Sequence, residues 1–287
     1  MIDTNASIIE PINHPLFEEC QVDVDMKRDD LIHPIISGNK WRKLKHLLAD
    51  AKSKGCHSLV SMGGNYSNHL HALAFAGKEL DLKTIGLVRA HPEQVLTPTL
   101  QDCINWSMQL HFQSRDDYAL LRQNLEWDCF RAIYPDSYWI AEGGYSELAI
   151  QGVSEIASEV KADYDYIFCG VGSGATLIGL AQAFPHSQVI GVAAFKGADY
   201  LIPELESRLK GFSNWLLATD YHYGGFAKVN DELLVLAKEF YLHNDFELDK
   251  VYNLKVLSCI IDQLKQSKIK AGKKLLMINT GGIQGNR

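Results

Sequence analysis

The stretch YIFCGVGSGAT, residues 166–176, decides which class of fold the chain adopts. Its first five residues form a continuous apolar run, which is typical of a β-strand buried on both faces of a parallel sheet. Gly170, Gly172 and Gly174 fall within five residues, and an apolar segment of helical character then extends to Phe184. The pattern therefore predicts a buried strand, a tight glycine loop and a helix.

Apolar strands and helices alternate along most of the remaining chain. Strands are predicted over residues 24–28, 58–62, 84–88, 138–141, 188–195 and 273–280 and near 110–112, and helices over 41–51, 68–80, 99–110 and 147–160. Such alternation favours an α/β fold with open, mostly parallel sheets covered by helices on both faces. Residues 210–230 are the least regular and are predicted to be loop-rich. No linker is evident, so two lobes would have to be intertwined.

Composition excludes several classes of function. The chain has 287 residues, and its 28 basic and 35 acidic side chains give a formal net charge of −7, which offers no general attraction to nucleic acid or anionic membranes. Six cysteines lie without a CxxC pair, as in reduced cytosolic proteins without a zinc site. The N-terminus lacks signal-peptide features, and no stretch approaches the ~20 apolar residues of a membrane span. We expect a cytoplasmic protein without a metal, nucleic-acid or membrane partner.

The glycine loop has the features of a phosphate-binding site. Its glycines let backbone amides turn toward an anion, and the following helix adds the positive end of its dipole. Ser173 and Thr176 add hydroxyl groups, whereas a plain strand–helix turn would need only one glycine. An NAD site is disfavoured, because the next predicted strand ends in GVAAFK without the acidic residue that binds a ribose. The phosphate loop of nucleoside-triphosphate-binding proteins is also disfavoured, because it needs Gly-Lys-Ser/Thr after the glycines and this chain does not have that sequence there.

Two further loops follow predicted strands, where open α/β sheets bind their ligands. In SMGGNYSNH, residues 61–69, Asn65, Ser67 and Asn68 offer neutral hydrogen bonds at a helix N-terminus, which suits a carboxylate. The alternative role for Ser67 or Asn68 is to cap that helix. In INTGG, Thr280 lies at the tip of the last predicted strand, where a simple terminal turn is an equal alternative.

The stretch SGNKWRKL, residues 37–44, places Lys40 on a turn at the start of an apolar helix. Helix N-termini prefer acidic residues, yet Arg42, Lys43 and Lys45 follow. Neighbouring cations lower the pKa of a lysine and favour covalent chemistry, whereas the alternative is a group of solvated surface charges. A lysine, a phosphate loop and a hydroxyl at a strand end are together the parts that bind pyridoxal phosphate.

A series of motifs resembles the family of 1-aminocyclopropane-1-carboxylate deaminases and D-cysteine desulfhydrases, which are pyridoxal-phosphate enzymes of the tryptophan synthase β-like fold (fold type II). The motifs are KRDDL with SGNKWRKL, then SMGGNYSNH, AEGGYSELAIQG, GVGSGAT, VYNLK and NTGG. The resemblance implies pyridoxal 5'-phosphate, a small amino-acid substrate, a homodimer and two intertwined open-sheet lobes. We expect a large cofactor-binding domain of residues 1–45 and 150–287 and a small substrate-side domain of residues 46–149.

The resemblance also implies a role for each matched position. Lys40 resembles the Schiff-base lysine, Asn39 the residue facing the hydroxyl of the cofactor ring, and Ser67 a carboxylate ligand and candidate proton-transfer group. The catalytic candidates are Lys40, Ser67, Tyr252 and Tyr223. The cofactor candidates are Asn39, Lys40, Gly172, Ser173, Gly174, Ala175, Thr176 and Thr280, and the substrate candidates are Asn65, Ser67 and Asn68.

This chain departs at two positions from the deaminase branch of the family that it resembles. That branch carries Glu after the second tyrosine and Leu before the last Gly-Gly. Asn253 and Thr280 stand there instead, and only Thr280 fits the desulfhydrase branch. A neutral Thr280 is expected to leave the ring nitrogen unprotonated, a weaker electron sink that suits loss of thiolate. We therefore expect α,β-elimination on D-cysteine or a relative, giving keto acid and ammonia. The alternatives are a 1-aminocyclopropane-1-carboxylate deaminase and a non-catalytic pyridoxal-phosphate-binding or regulatory protein; a dehydrogenase is disfavoured by the missing ribose acid.

Overall fold

The computed structural model describes residues 2, 4–91, 93, 95–124, 128–282 and 286, and leaves the side chains of 123, 124, 128 and 129 undescribed. The chain separates into two compact units. The first unit contains Met1–Asn39 and Ile150–Asn286, and the second contains Lys40–Ala149. The expected domain boundaries were 45/46 and 149/150.

Strands and helices alternate in chain order. The strands are β1 (Ile9–Pro11), β2 (Asp23–Lys27), β3 (Ser58–Gly64), β4 (Lys83–Arg89), β5 (Gln109–Gln113), β6 (Ser137–Trp139), β7 (Tyr166–Val171), β8 (Gln188–Ala193), β9 (Trp215–Ala218) and β10 (Lys274–Ile278). The helices are α1 (Pro15–Glu19), α2 (Lys40–Ser53), α3 (Asn68–Glu79), α4 (Pro98–Asn105), α5 (Arg115–Asn124), α6 (Asp128–Ile133), α7 (Glu147–Ser154), α8 (Ile156–Glu159), α9 (Ala175–Ala183), α10 (Ile202–Arg208), α11 (Asp231–Asn244) and α12 (Asn253–Lys265).

Each unit is built on its own open sheet. Within the described residues, the first unit has a six-stranded sheet in the order β1-β2-β10-β7-β8-β9 and the second a four-stranded sheet in the order β5-β4-β3-β6. All neighbouring strands are parallel except β1 and β2. The predicted α/β class with mostly parallel open sheets is therefore confirmed.

One of the two central strands of the first unit is β7, which lies between β10 and β8. Ile167, Phe168 and Cys169 are fully buried, because both faces of the strand are covered, as the continuous apolar run predicts. Gly191 in β8 lets α9 lie close to the sheet, since a Cβ there would be 2.8 Å from the Leu177 side chain. This close packing sets the position of the N-terminus of α9, at the end of the glycine loop.

Two predicted helices differ in the structure. The helix predicted over residues 99–110 ends at Asn105, because Ser107 takes a left-handed φ of 66° and the Met108 N–H bonds back to the Cys103 carbonyl at 2.9 Å. The helix predicted over residues 147–160 divides into α7 and α8. The Ser154 hydroxyl donates to the carbonyl four residues earlier at 3.0 Å, a contact that competes with the helical ladder.

Over the described ranges, no helix has both the length and the apolar character needed to cross a bilayer, and no group of three or more His, Cys, Asp or Glu side chains is placed to hold a metal ion. The free thiols are Cys20, Cys56, Cys103, Cys169 and Cys259. The side chain of Cys129 lies outside the described residues.

Candidate active site

The glycine loop of the first unit runs from the end of β7 to the start of α9. Gly174 has a φ of +92° and forms the N-cap of α9, a conformation that strains any other residue. Tyr252 packs directly against the loop, since a Cβ added at Gly170 would lie 3.0 Å from its Cβ and one at Gly172 would lie 3.2 Å from its hydroxyl. Because Gly170 and Gly172 lack side chains, the Tyr252 side chain can pack directly against the backbone of the loop.

Hydroxyl groups of the loop have two different environments. Ser173 Oγ is buried and has no hydrogen-bond partner in the described part of the chain. A buried unsatisfied hydroxyl costs about 1–3 kcal/mol, so such a group is expected where a ligand supplies the missing partner. Thr176 in the first turn of α9 is buried, and its Oγ1 accepts a hydrogen bond from Asn39 Nδ2 at 2.9 Å.

Asn39 connects three segments of the chain. Its backbone N–H donates to the carbonyl of Thr280, beyond β10, at 3.1 Å, while its side chain donates to Thr176. Gly38 has a φ of +68°, and a Cβ there would overlap the Thr280 carbonyl. We call the contact of Gly38 and Asn39 with Thr280 the tether. Lys40 is the next residue along the chain and begins α2.

Two of the three cations that follow Lys40 are not solvated surface charges. Arg42 is 0% exposed and Lys43 is 6% exposed, on the buried side of α2. Buried cations are costly unless other groups compensate them, so this composition has a structural or functional reason. The interpretation of these residues as surface decoration is wrong.

The irregular segment before α11 is held on one face of α12. Lys255 Nζ donates to the carbonyls of Ala194, His222 and Gly225 at 2.8, 3.0 and 3.0 Å. Burial lowers the pKa of Lys255 to about 8, although Asp249 opposes this shift. The hydrogen bonds of Lys255 therefore connect the end of β8 to this irregular segment.

The two tyrosines that the motifs singled out have different surroundings. Tyr252 lies against the glycine loop, whereas the hydroxyl of Tyr223 is hydrogen-bonded to Ser258 Oγ on α12. The ring beside Tyr252 is that of Phe226, with centroids 5.9 Å apart in an edge-on arrangement. The structure therefore brings Tyr252 together with the glycine loop, and the contacts described for Tyr223 do not include that loop.

In the second unit, the SMGGNYSNH motif forms the turn between β3 and α3. Ser67 Oγ accepts the backbone N–H three residues later at 3.2 Å, so Ser67 does cap the helix. Asn68 is buried at the first position of α3, and the Asn65 carbonyl accepts the Thr97 hydroxyl at 2.6 Å. A Cβ at Gly63 would overlap the Ser67 side chain, which explains the glycine.

His69, the second residue of α3, was not among the predicted site residues. Ser61 Oγ donates to the Ile140 carbonyl at 2.9 Å, so at its 2.8 Å contact with His69 it accepts from Nε2. The other nitrogen, Nδ1, is buried without a hydrogen-bond partner among the described residues. Burial, with the charges of Lys40 and Lys43, lowers the pKa of His69 to about 3, so the ring is neutral at pH 7. The feature of the sequence that could have identified His69 is its position directly after Ser67 and Asn68.

Residues 12–281 match the family described as "Pyridoxal-phosphate dependent enzyme". The chain belongs to this family of pyridoxal-phosphate-dependent enzymes. A protein from Pyrococcus horikoshii named "Putative 1-aminocyclopropane-1-carboxylate deaminase" is 29% identical over 284 residues, covering 93% of this chain and 86% of the relative. A protein of the same name from Thermotoga maritima is 30% identical over 293 residues, covering 94% and 92%. A crystal structure described as an ACC deaminase homologue superposes with a TM-score of 0.84 at 28% identity, covering 98% of this chain and 90% of the other.

These similarities confirm the family resemblance and the tryptophan synthase β-like fold, fold type II. Pyridoxal phosphate is accordingly the cofactor of this pyridoxal-phosphate-dependent enzyme. The glycine loop fits its phosphate group on three observations: the buried Ser173 hydroxyl has no partner in the described structure, Gly174 turns the backbone, and the N-terminus of α9 follows.

Gly38 and Gly55 form a matched pair for testing the tether, because both have a φ of +68°. A Cβ at Gly38 would overlap the Thr280 carbonyl, whereas a Cβ at Gly55 meets nothing within 4 Å. Both Ala variants carry the left-handed backbone cost of about 1–2 kcal/mol. We expect Gly38→Ala to lower the free energy of unfolding by about 1–3 kcal/mol more than Gly55→Ala, from overpacking, as measured by urea denaturation. Equal losses would show that the tether is not sterically tight.

Proposed function

We propose that this pyridoxal-phosphate-dependent enzyme catalyses α,β-elimination on a small amino acid, with D-cysteine or a relative as substrate and a keto acid and ammonia as products. The family supports the coarser activity, an elimination or deamination that uses the cofactor. The preference for D-cysteine rests on the side chains at Asn253 and Thr280. The D configuration rests on the motif resemblance.

The proposed preference for a thiol substrate is supported mainly by the neutral side chain of Asn253. Its amide is fully buried and engaged by Asp249, Asn279 and Thr280, so it is neutral and has no acidic proton to deliver. Opening a cyclopropane ring provides no good leaving group and needs acidic or nucleophilic help. A thiolate carries its own stabilised charge, so its loss from the β-carbon needs little beyond removal of the α-proton. This contrast supports elimination of a thiol over ring opening.

Each residue has a proposed task. When bound, pyridoxal phosphate supplies an electron sink for the negative charge that develops at the substrate α-carbon. Lys40 carries the cofactor and later takes the α-proton; Asn39, Thr280 and the loop residues 172–176 hold the cofactor. The substrate carboxylate is bound by Asn65, Ser67 and Asn68. Tyr252, which packs on the loop, is better supported as a catalytic tyrosine than Tyr223, whose hydroxyl meets Ser258.

The organisation of the protein follows from the same proposal. The cofactor-binding domain is proposed to consist of residues 1–45 and 150–287, which is the first unit together with residues 40–45 of the second, and residues 46–149 supply the substrate contacts, with the chain acting as a cytoplasmic homodimer. The glycine loop and Thr280 in the first unit and the 61–69 turn in the second support this division.

The second candidate is deamination of 1-aminocyclopropane-1-carboxylate. The observation that favours it is the name borne by the relatives from Pyrococcus horikoshii and Thermotoga maritima, which cover most of the chain.

The Ser173 hydroxyl provides a test of the phosphate site that is separate from turnover. Because this hydroxyl has no partner in the described structure, Ser173→Ala should leave the unfolding free energy of the cofactor-free protein unchanged or slightly raised. We expect it to raise the Kd for pyridoxal phosphate about tenfold in a spectroscopic titration, from the loss of one hydrogen bond of about 1.4 kcal/mol.

Ser187→Ala is the matched control. The Ser187 hydroxyl donates to the Tyr164 carbonyl at 2.7 Å, so this variant should lose about 1 kcal/mol of stability and keep the wild-type Kd. An unchanged Kd in Ser173→Ala would remove Ser173 from the phosphate site.

Side-by-side assays of the holoenzyme test the substrate. We expect pyruvate from D-cysteine and β-chloro-D-alanine, and sulfide from D-cysteine. We expect little 2-oxobutyrate from 1-aminocyclopropane-1-carboxylate, because the neutral Asn253 amide has no acidic proton to deliver for ring opening. Brisk 2-oxobutyrate formation without sulfide would contradict the proposal and favour the second candidate. A cofactor-loaded protein that turns over none of the three would overturn the proposal in favour of a non-catalytic role or another amino acid.

A further inference from the structure

One face of α12 contacts the irregular segment that lies between β9 and α11. Residues 252, 255, 258 and 262 recur at helical spacing, so their side chains lie on the same side of the helix. Each of them contacts residues 221–227, which we call the strap. The contacts are Phe226 edge-on to Tyr252, the His222 and Gly225 carbonyls with the Lys255 ammonium, Tyr223 with Ser258, and Tyr221 with Asp262.

The backbone of the strap takes a conformation that most residues avoid. Tyr223 and Ala227 have left-handed φ angles of 52° and 56°, and Gly224 and Gly225 between them have φ angles of 94° and 144°. A left-handed conformation is unfavourable for a residue with a Cβ, so it persists only where surrounding contacts enforce it. The contacts with α12 are therefore needed to maintain the shape of the strap.

The Lys255 ammonium is the polar centre of these contacts. It is 0% exposed and donates to the carbonyls of His222 and Gly225 at 3.0 Å each, and to that of Ala194, directly after β8, at 2.8 Å. An ammonium group has three N–H donors, so each donor has one carbonyl. A neutral amine has only two donors, and one of these carbonyls would then face a lone pair. The three carbonyls together require a cation, and Lys255 supplies it from α12.

The strap connects this cation to the glycine loop. Phe226 follows Gly225 directly, and its ring centroid lies 5.9 Å from that of Tyr252. Tyr252 in turn packs on the loop, because a Cβ at Gly172 would lie 3.2 Å from its hydroxyl oxygen. Phe226 is 41% exposed, so burial alone does not fix its ring against Tyr252. The position of Phe226 depends on the hydrogen-bonded turn that precedes it.

We propose that Lys255 is a positioning residue of the cofactor site: its ammonium holds the strap against α12, and the strap keeps the Tyr252 side chain in place on the glycine loop. The inference rests on the proposed roles of Tyr252 and of the loop. Lys255 takes no part in bond making, because carbonyls engage all three of its N–H groups. Without the ammonium the strap loosens, and a small displacement of Tyr252 slows the chemical step.

Lys255→Met tests the proposal in the holoenzyme, because it keeps an unbranched side chain and removes both the charge and the donors. We expect amide hydrogen exchange in the strap to become about tenfold faster, because buried carbonyls lose their partner. We expect the visible circular dichroism of the bound cofactor to weaken, and kcat to fall ~10–100-fold with a smaller change in KM. The matched control is Lys228→Met, an exposed lysine next to the strap, which should behave as the wild type.

These readouts separate positioning from a purely structural role. A lysine that only stabilises the fold would lower the unfolding temperature of Lys255→Met and leave the cofactor spectrum and kcat unchanged, and that outcome would overturn the proposal.

Chemical rescue tests the need for a cation directly. Lys255→Ala leaves a space bordered by the three carbonyls. Methylammonium should restore slow exchange in the strap and the cofactor spectrum in a saturable manner, because it brings back a charged group with N–H donors. Tetramethylammonium at the same concentration has no such donors and should not restore them. Equal effects of the two salts would contradict the proposal.

Phe226→Ala keeps the test decisive if the Lys255 variants do not fold, because Phe226 is partly exposed. It removes the contact between the strap and Tyr252, leaves the ammonium in place and should reproduce the weakened cofactor spectrum. A wild-type spectrum in Phe226→Ala would overturn the proposal. Neither hydrogen exchange nor the spectrum requires a substrate. A wrong choice of D-cysteine would therefore be seen separately, as cofactor-loaded wild type that makes no pyruvate.

Discussion

The backbone hydrogen bond from Asn39 to the Thr280 carbonyl, 3.1 Å long, is the constraint on which the proposed site depends. It forms only because Gly38 lets two backbone segments lie closer than any side chain permits. The same asparagine donates to Thr176, so the segment after β10 and the start of α9 meet at one residue of the first unit. Lys40, the predicted covalent lysine, is the next residue along the chain.

Hydrogen bonding separates structural polar groups from those available to ligands. Asp249, Asn253 and Lys255 are buried, and each is matched by identified donors or acceptors. Ser173 Oγ in the first unit and His69 Nδ1 in the second are buried without such partners among the described residues. Ser173 lies in the loop after β7 and His69 in the first turn of the helix that follows β3, and ligands bind beyond such strand ends in open α/β sheets. Unsatisfied polar atoms in these places support ligand binding more strongly than motif matching alone.

Patterns of single segments were predictable from the sequence, whereas pairings between distant side chains were not. The apolar run of β7 and the glycine loop followed from periodicity, and the motifs identified the family and cofactor. The early end of α4 depends on the left-handed conformation of Ser107. Such a conformation is usually predicted from a glycine, and this position has none. The hydrogen bond from the backbone N–H of Thr280 to Asn253 Oδ1 joins residues 27 positions apart in the sequence. The tautomer of His69 likewise requires the contacts of Ser61.

The central claim of the proposed function is that Lys40 is the residue that carries the cofactor. Its most serious rival is Lys255, a buried lysine whose pKa is lowered to about 8, although three backbone carbonyls already occupy its ammonium group. The direct measurement is borohydride reduction of the holoenzyme, followed by proteolysis and mass spectrometry of the modified peptide. The account predicts the reduced cofactor on Lys40. Stoichiometric labelling of Lys255, Lys43 or any other lysine, with Lys40 unmodified, would contradict it.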